Sequence, residues 1–249
     1  DFGPPRGYDL EGCVDLWAGL PLVNEPGTRF NYSHATDVLG RLVEVLSGQS
    51  LDVFLAERIL GPLGMVDTAF GLAEDQRSRL AALHVPDPAS RKAVRFDELA
   101  PVSRAVPSFL SGGGGLVSTA DDYLRFCDFL LRQGERNGVR LLSPRTVDYM
   151  TRNHLPGGSD LAGYARSMFA ETAYAGVGFG LGFSVVVDPA ANKVPTSPGT
   201  FAWGGAASTA FYVDPVEEVT ALFMTQLLPS STWPLRSQLT QLVSQAILA

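Results

Sequence analysis

The sequence is short of lysine: Lys92 and Lys193 are the only two among 19 basic residues in a chain of 249. Chemistry that needs an ammonium beside a nucleophile therefore has two places to occur. Cysteine is equally scarce. Cys13 and Cys127 are too few for a disulfide framework or a Cys-rich metal site, and Cys127 sits in an apolar helical pattern that suits a small buried hydrophobe. Three histidines, His34, His84 and His154, are scattered, with no HExxH or Cys/His ligand spacing. The G-x-S-x-G elbow and the G-x-x-x-x-G-K-S/T phosphate loop are both missing. The net charge is −7 and no block of Lys and Arg interrupts it, which excludes nucleic acid as a partner. The longest uncharged run, residues 194–213, carries Pro195 and Pro198 among Gly, Ser and Thr, so it is not a membrane span.

What is present describes a globular chain rich in turns. Apolar residues make up 45%, charged residues 18%, and there are 26 glycines and 17 prolines. The first 30 residues read as loop with short helices at most. Val38, Leu39, Leu42, Val43, Val45 and Leu46 form one wide helical stripe that Gly48 ends. Ser50 is placed to cap a second helix, which Gly61-Pro62 should stop. Residues 71–115 read as irregular. Ser118-Thr119-Ala120-Asp121 reads as a capping box before a helix that Gly134 closes, and Ser143-Pro144 as another helix start. Beyond residue 170 the pattern becomes strand-like: Val177 to Val187, Thr200 to Trp203, Ser208 to Val213 and Val219 to Thr225, with Asp214-Pro215 as a turn. Strands joined by such short turns should be antiparallel. A helical stripe from Leu235 to Leu248 follows. The expectation is an α+β fold, with a helical region over 1–170 and an antiparallel sheet plus C-terminal helix over 171–249.

Three stretches carry more specific information: Pro26-Gly-Thr-Arg-Phe-Asn-Tyr32-Ser-His34 running into a helix, Gly61-Pro-Leu-Gly-Met-Val-Asp-Thr68, and Trp203-Gly204-Gly205 on a strand followed by Ala206. A fourth, Gly112-Gly-Gly-Gly-Leu-Val-Ser-Thr-Ala-Asp-Asp122, lies between the last two. In order and spacing the chain resembles the serine β-lactamase-like hydrolases: class C β-lactamases, low-molecular-weight penicillin-binding proteins, D-aminopeptidases and family VIII carboxylesterases. The resemblance runs from about Pro21 to the C-terminal helix. It implies a β-lactamase-like fold and an acyl-enzyme formed on the serine of a Ser-x-x-Lys turn. Tyr32 would then be the catalytic tyrosine of a Tyr-x-Asn loop. Trp203, Gly204 and Gly205 would line the acyl pocket, and the Ala206 N–H would donate to the oxyanion. The resemblance implies neither metal nor organic cofactor.

The departures point within that group. Trp203 stands where the family has the lysine that holds a substrate carboxylate, and an indole packs against an acyl chain or alcohol instead. His34 stands where Tyr-x-Asn has its asparagine, which removes an amide contact and makes His34 a candidate substrate-binding residue. Both favour a small ester over a β-lactam or peptide, which places the closest resemblance with family VIII carboxylesterases. A β-lactamase or D-Ala-type peptidase, and a non-catalytic homologue or binding module, are the alternatives. Ser-x-x-Lys itself is not found: Ala89 precedes Lys92 by three residues and Ala190 precedes Lys193. Only 31 residues precede Tyr32, and the first residue is Asp1 rather than Met. The expectation is therefore a C-terminal portion of the fold, with the nucleophile on an N-terminal segment that a separate chain could supply. Bacterial cytoplasm and periplasm both stay open.

Overall fold

The computed structural model describes residues 7–96, 106–164 and 174–247. Packing divides the chain into two compact units. One comprises Asp1–Leu80 and Pro101–Asp122, the other Ala81–Ala100 and Tyr123–Ala249. The separation by element type at residue 170 remains a proposal about domains.

In the first unit, α1 (Leu10–Ala18) starts where the Asp9 carboxylate accepts a hydrogen bond from the Gly12 N–H at 2.9 Å. α2 (Ala35–Ser47) ends at Gly48 with φ 69°, as its sequence predicts. α3 (Leu51–Leu55) begins after Ser50 in extended conformation, although the serine hydroxyl makes no cap hydrogen bond. The core gathers Leu10, Leu51, Phe70 and Leu110, with Val14, Val43, Leu55 and Phe109 packed against it. Of the wide stripe of α2, Val43 alone reaches this core. Val38, Leu39, Leu42, Val45 and Leu46 are exposed, while Asp37 and Gly40 are buried. Gly40 explains the choice of face. A Cβ there would lie 3.0 Å from Leu51 Cδ2 and 3.5 Å from the Gly112 Cα, so a side chain would fit only if Leu51 gave way by a few tenths of an ångström.

Gly61-Pro62 does not stop the helix, contrary to expectation. The chain runs through a π-helical turn (Ala56–Leu60) into a last short turn, α4 (Gly61–Leu63), and Gly64 with φ 72° ends it. The Gly61 N–H reaches back five residues to the Ala56 carbonyl. The widened turn accommodates a proline that offers no N–H. Beyond it, Asp67 forms a two-pronged ion pair with Arg79 at 2.7 and 2.9 Å. Its N–H donates to the buried Asp122 carboxylate at 2.7 Å, which also accepts from the Thr68 hydroxyl at 2.9 Å. The cap of α5 (Ala120–Leu131) is Thr119, whose hydroxyl accepts from the Asp122 N–H at 3.3 Å, one residue later than the sequence pattern implied.

The second unit is built on a five-stranded sheet in the order β5-β6-β7-β8-β9, antiparallel throughout. Two small hairpins precede it in the chain: β1 (His84–Pro86) with β2 (Ala93–Arg95), and β3 (Glu135–Arg136) with β4 (Val139–Arg140). The sheet strands are β5 (Val177–Phe179), β6 (Ser184–Val186), β7 (Phe201–Gly204), β8 (Ala210–Asp214) and β9 (Val219–Phe223). Val177 to Val187 is therefore a hairpin rather than one strand. Gly180 donates to the Phe183 carbonyl at 2.7 Å, and Gly182 takes φ 99° to close the turn. β8 is buried along its whole length. Phe211 on it packs with Phe183 and Tyr123, and Phe183 also meets Phe201.

Asp214 ends β8 below the surface, where its carboxylate accepts from the N–H groups of Ser197, Val216 and Glu217 and from the Thr200 hydroxyl at 2.8–3.2 Å. Burial, and secondarily the charge of Asp214, push the Tyr212 phenol up to about 12. Burial likewise pushes the Cys127 thiol up to about 12, which keeps it in the unreactive thiol form. Among the helices, α6 (Pro144–Met150) has Ser143 as its cap and proline at the first position, as the sequence predicts. α7 (Leu161–Tyr164) and α8 (Pro189–Asn192) are short, and α9 (Leu235–Ala246) lies against β9. Among the described residues no helix is long and apolar enough to cross a membrane, and no group of three or more His, Cys, Asp or Glu could hold a metal ion.

Candidate active site

The residues singled out from the sequence fall into two local sets, one in each unit. In the first unit, Tyr32 and His34 share the loop that enters α2. Tyr32 is 60% exposed, because the loop carries it outward ahead of the first helical turn. His34 occupies the cap position of α2. Its ring is fixed on two sides. Trp17 stacks on it at 4.6 Å with planes 17° apart, and Nδ1 lies 2.8 Å from Oδ2 of Asp37. Asp37 is 4% exposed, and its other oxygen accepts from the Ser111 hydroxyl at 2.6 Å and the Gly113 N–H at 3.1 Å.

The tetraglycine stretch has a packing role here. A Cβ on Gly112 would lie 2.4 Å from the Thr36 carbonyl oxygen, and one on Gly113 2.7 Å from the Thr36 hydroxyl. Gly115 meets the Phe70 ring in the same way, at 2.6 Å. Glycine therefore lets this loop press against the first turn of α2 and bring the Gly113 N–H to Asp37. Gly112→Ala is expected to cost about 1–3 kcal/mol, since the contact is to backbone and cannot be relieved by a rotamer. Urea unfolding of the variant checks this; an unchanged midpoint would contradict it.

In the second unit, Trp203 and Gly204 end β7, and Gly205, Ala206, Ala207 and Ser208 turn the chain into β8. The turn closes through Gly205 N–H to the Thr209 carbonyl at 3.0 Å and Ser208 N–H to the Gly205 carbonyl at 3.1 Å. Ala206 is exposed at the tip, and its N–H donates to no acceptor among the described residues. Trp203 meets the edge of Phe179 at 5.4 Å. Neighbouring side chains cover the two glycines. A Cβ on Gly204 would lie 2.6 Å from the Arg236 guanidinium, and one on Gly205 2.4 Å from the Thr209 hydroxyl. Arg236, from the first turn of α9, donates through Nη2 to the Gly205 carbonyl at 2.6 Å.

Asp37, Ser111, Gly113 and Arg236 were missed from the sequence. Asp37 had a signal, because it stands three residues into a helix whose cap is the candidate His34. Arg236 lies 31 residues from its partner and had none.

A family model described as Beta-lactamase matches residues 2–245. The chain belongs to the β-lactamase family. It is 33% identical over 235 residues to esterase EstB of Burkholderia gladioli, covering 88% of this chain and 55% of EstB. It is 41% identical over 222 residues to an uncharacterised Mycobacterium tuberculosis protein, covering 86% of this chain and 54% of that protein. Among solved structures, EstCE1, a hydrolase with promiscuous acyltransferase activity, superposes with a TM-score of 0.78 at 26% identity, covering 98% of this chain and 63% of EstCE1. Simvastatin synthase (LovD) from Aspergillus terreus gives a TM-score of 0.75 at 26% identity, covering 96% of this chain and 61% of LovD. The β-lactamase-like fold expected from the motifs is thus shown. The chain spans about half the length of the curated relatives it matches.

Proposed function

We propose that this β-lactamase-family protein takes part in ester chemistry through an acyl-enzyme, with the nucleophilic serine and its lysine outside these 249 residues. In this reading Tyr32 shuttles the proton, the Ala206 N–H donates to the oxyanion, Trp203 with Gly204 and Gly205 lines the acyl pocket, and His34 contacts substrate. The observation that carries it is the turn after β7. There the exposed Ala206, whose N–H donates to no acceptor among the described residues, follows a strand end with Trp203 where the family has a lysine. An N–H so placed can serve a developing oxyanion without first breaking a bond within the protein. The likeness to esterase EstB supports esters, and that to EstCE1 supports a hydrolase that also transfers acyl groups. The likeness to Monacolin J acid methylbutanoyltransferase of Aspergillus terreus, 29% identical over 239 residues, supports acyl transfer as a second outcome of the same intermediate.

The test is hydrolysis of p-nitrophenyl acetate and butyrate. The 249-residue chain alone is expected to be inactive, and the protein produced from its whole reading frame active. Turnover by the purified chain alone would overturn the placement of the nucleophile. The tryptophan also predicts weak labelling of the active protein by a fluorescent penicillin. Strong stoichiometric labelling would favour the β-lactam reading.

A further inference from the structure

We propose that Asp37 is a positioning residue. It fixes His34 as the tautomer protonated on Nδ1 and so presents Nε2 as a hydrogen-bond acceptor for a hydroxyl, of water or an alcohol. This deepens the ester reading above and rests on it for its chemistry, but its structural part stands alone.

The His34 ring sits in an uneven environment. One side of the imidazole faces a carboxylate that is 4% exposed and spends its second oxygen on Ser111 and Gly113. An ionised carboxylate only accepts, so the nitrogen 2.8 Å away must be the donor. The other nitrogen, Nε2, makes no hydrogen bond to any described residue, and the side chain is 41% exposed. In the neutral ring Nε2 is then a bare lone pair on a partly exposed side chain. Stacking on Trp17 prevents the ring from swinging that lone pair away. An asparagine in this position would offer a flexible amide with both donor and acceptor. The imidazole offers one acceptor in one direction, and a hydroxyl is the simplest group that matches it.

The support runs deeper than the pair. Ser111 and Gly113 bring the glycine loop to Asp37, and the close approach of Gly112 to Thr36 holds that loop in place. Asp37 therefore has little freedom to leave the imidazole. A carboxylate that orients a histidine and sets its tautomer is a general device for making the far nitrogen useful.

The other two histidines provide internal references. His84 Nδ1 lies 3.0 Å from the Ala82 carbonyl and His154 Nε2 lies 2.8 Å from the Tyr149 carbonyl. Carbonyls only accept, so His84 carries its proton on Nδ1 and His154 on Nε2.

The test has two arms. The first is a long-range proton–nitrogen correlation spectrum of the 15N-labelled chain at about pH 8, above the ordinary histidine range. His34 is expected to show a protonated Nδ1 and a bare Nε2. Asp37→Asn should move the proton to Nε2 or leave the two forms exchanging, because an amide can donate to a bare Nδ1. Ser111→Ala should keep the native tautomer, and His84 and His154 should not change in either variant. A native His34 protonated on Nε2, or an Asp37→Asn spectrum identical to the native one, overturns the proposal.

The second arm uses the protein from the whole reading frame. Asp37→Asn should lower kcat for p-nitrophenyl butyrate roughly 10- to 100-fold, with KM nearly unchanged. It should add nothing on a His34→Ala background. A native kcat in Asp37→Asn overturns the positioning role. If the native enzyme cleaves no ester, the ester reading fails, and the tautomer arm then decides whether Asp37 positions His34.

Discussion

Tyr32→Phe, in the protein that carries its nucleophile, is expected to lower kcat for p-nitrophenyl butyrate by roughly 10²- to 10⁴-fold, the usual contribution of a positioned proton-transfer group. KM should change little, because the lost hydroxyl acts on the proton in flight rather than on the resting ester. The variant should fold normally. Tyr32 is 60% exposed on an entry loop, and exposed substitutions typically cost within about 0.5 kcal/mol. Near-normal kcat in a well-folded Tyr32→Phe would remove the tyrosine from the mechanism. A fall in activity together with a lowered unfolding midpoint would point to the loop rather than to the proton.

The largest expected effect on stability belongs to Asp214. Asp214→Ala removes the acceptor from three N–H groups and the Thr200 hydroxyl at the end of the buried strand β8. A buried donor left without a partner costs about 1–3 kcal/mol. The costs are not additive, since the turn can open to water, so about 3 kcal/mol or more is expected in urea unfolding. Asp214→Asn retains one accepting oxygen and should lie between the two. Burial alone would raise the pKa of this carboxyl. The hydrogen bonds from Glu217, Ser197 and Thr200 outweigh it and hold the group below its ordinary 3.8. The folded value is thus depressed, so the stabilisation is complete above the ordinary value and is lost as the pH falls through the lower, folded one. Asp214→Ala should abolish that part of the acid sensitivity. An alanine variant as stable as the native chain and equally acid-sensitive would contradict this role.

Local chemistry was legible in the sequence. Gly48 ended α2, Ser143-Pro144 started α6 and Asp214-Pro215 turned β8 into β9, because each signal depends on residues within one turn of chain. The signals that failed were those that tertiary packing overrides. Pro62 reads as a helix stop, yet a π-turn absorbs it. Val177 to Val187 reads as one strand, yet Gly180 and Gly182 fold it into a hairpin. The apolar stripe of α2 is exposed apart from Val43, while the small and acidic residues Gly40 and Asp37 face inward, where the glycine loop meets them. The site residues were found as short motifs. What holds them was not, because Asp37 meets Ser111 across 74 residues and Arg236 meets Gly205 across 31. The β1–β2 hairpin was likewise hidden, its two three-residue strands lying within a stretch of sequence without periodicity.

In the proposed function this chain supplies the tyrosine loop and the Trp-Gly-Gly strand to an acyl-enzyme whose nucleophile lies outside residues 1–249. The most direct test is to trap the acyl-enzyme. The protein from the whole reading frame is quenched in acid during turnover of p-nitrophenyl butyrate, digested, and the butyryl adduct located by mass spectrometry. One butyryl group is expected, on a serine of a Ser-x-x-Lys sequence outside residues 1–249. A butyryl group on a residue within the chain, or rapid turnover with no adduct, would contradict it.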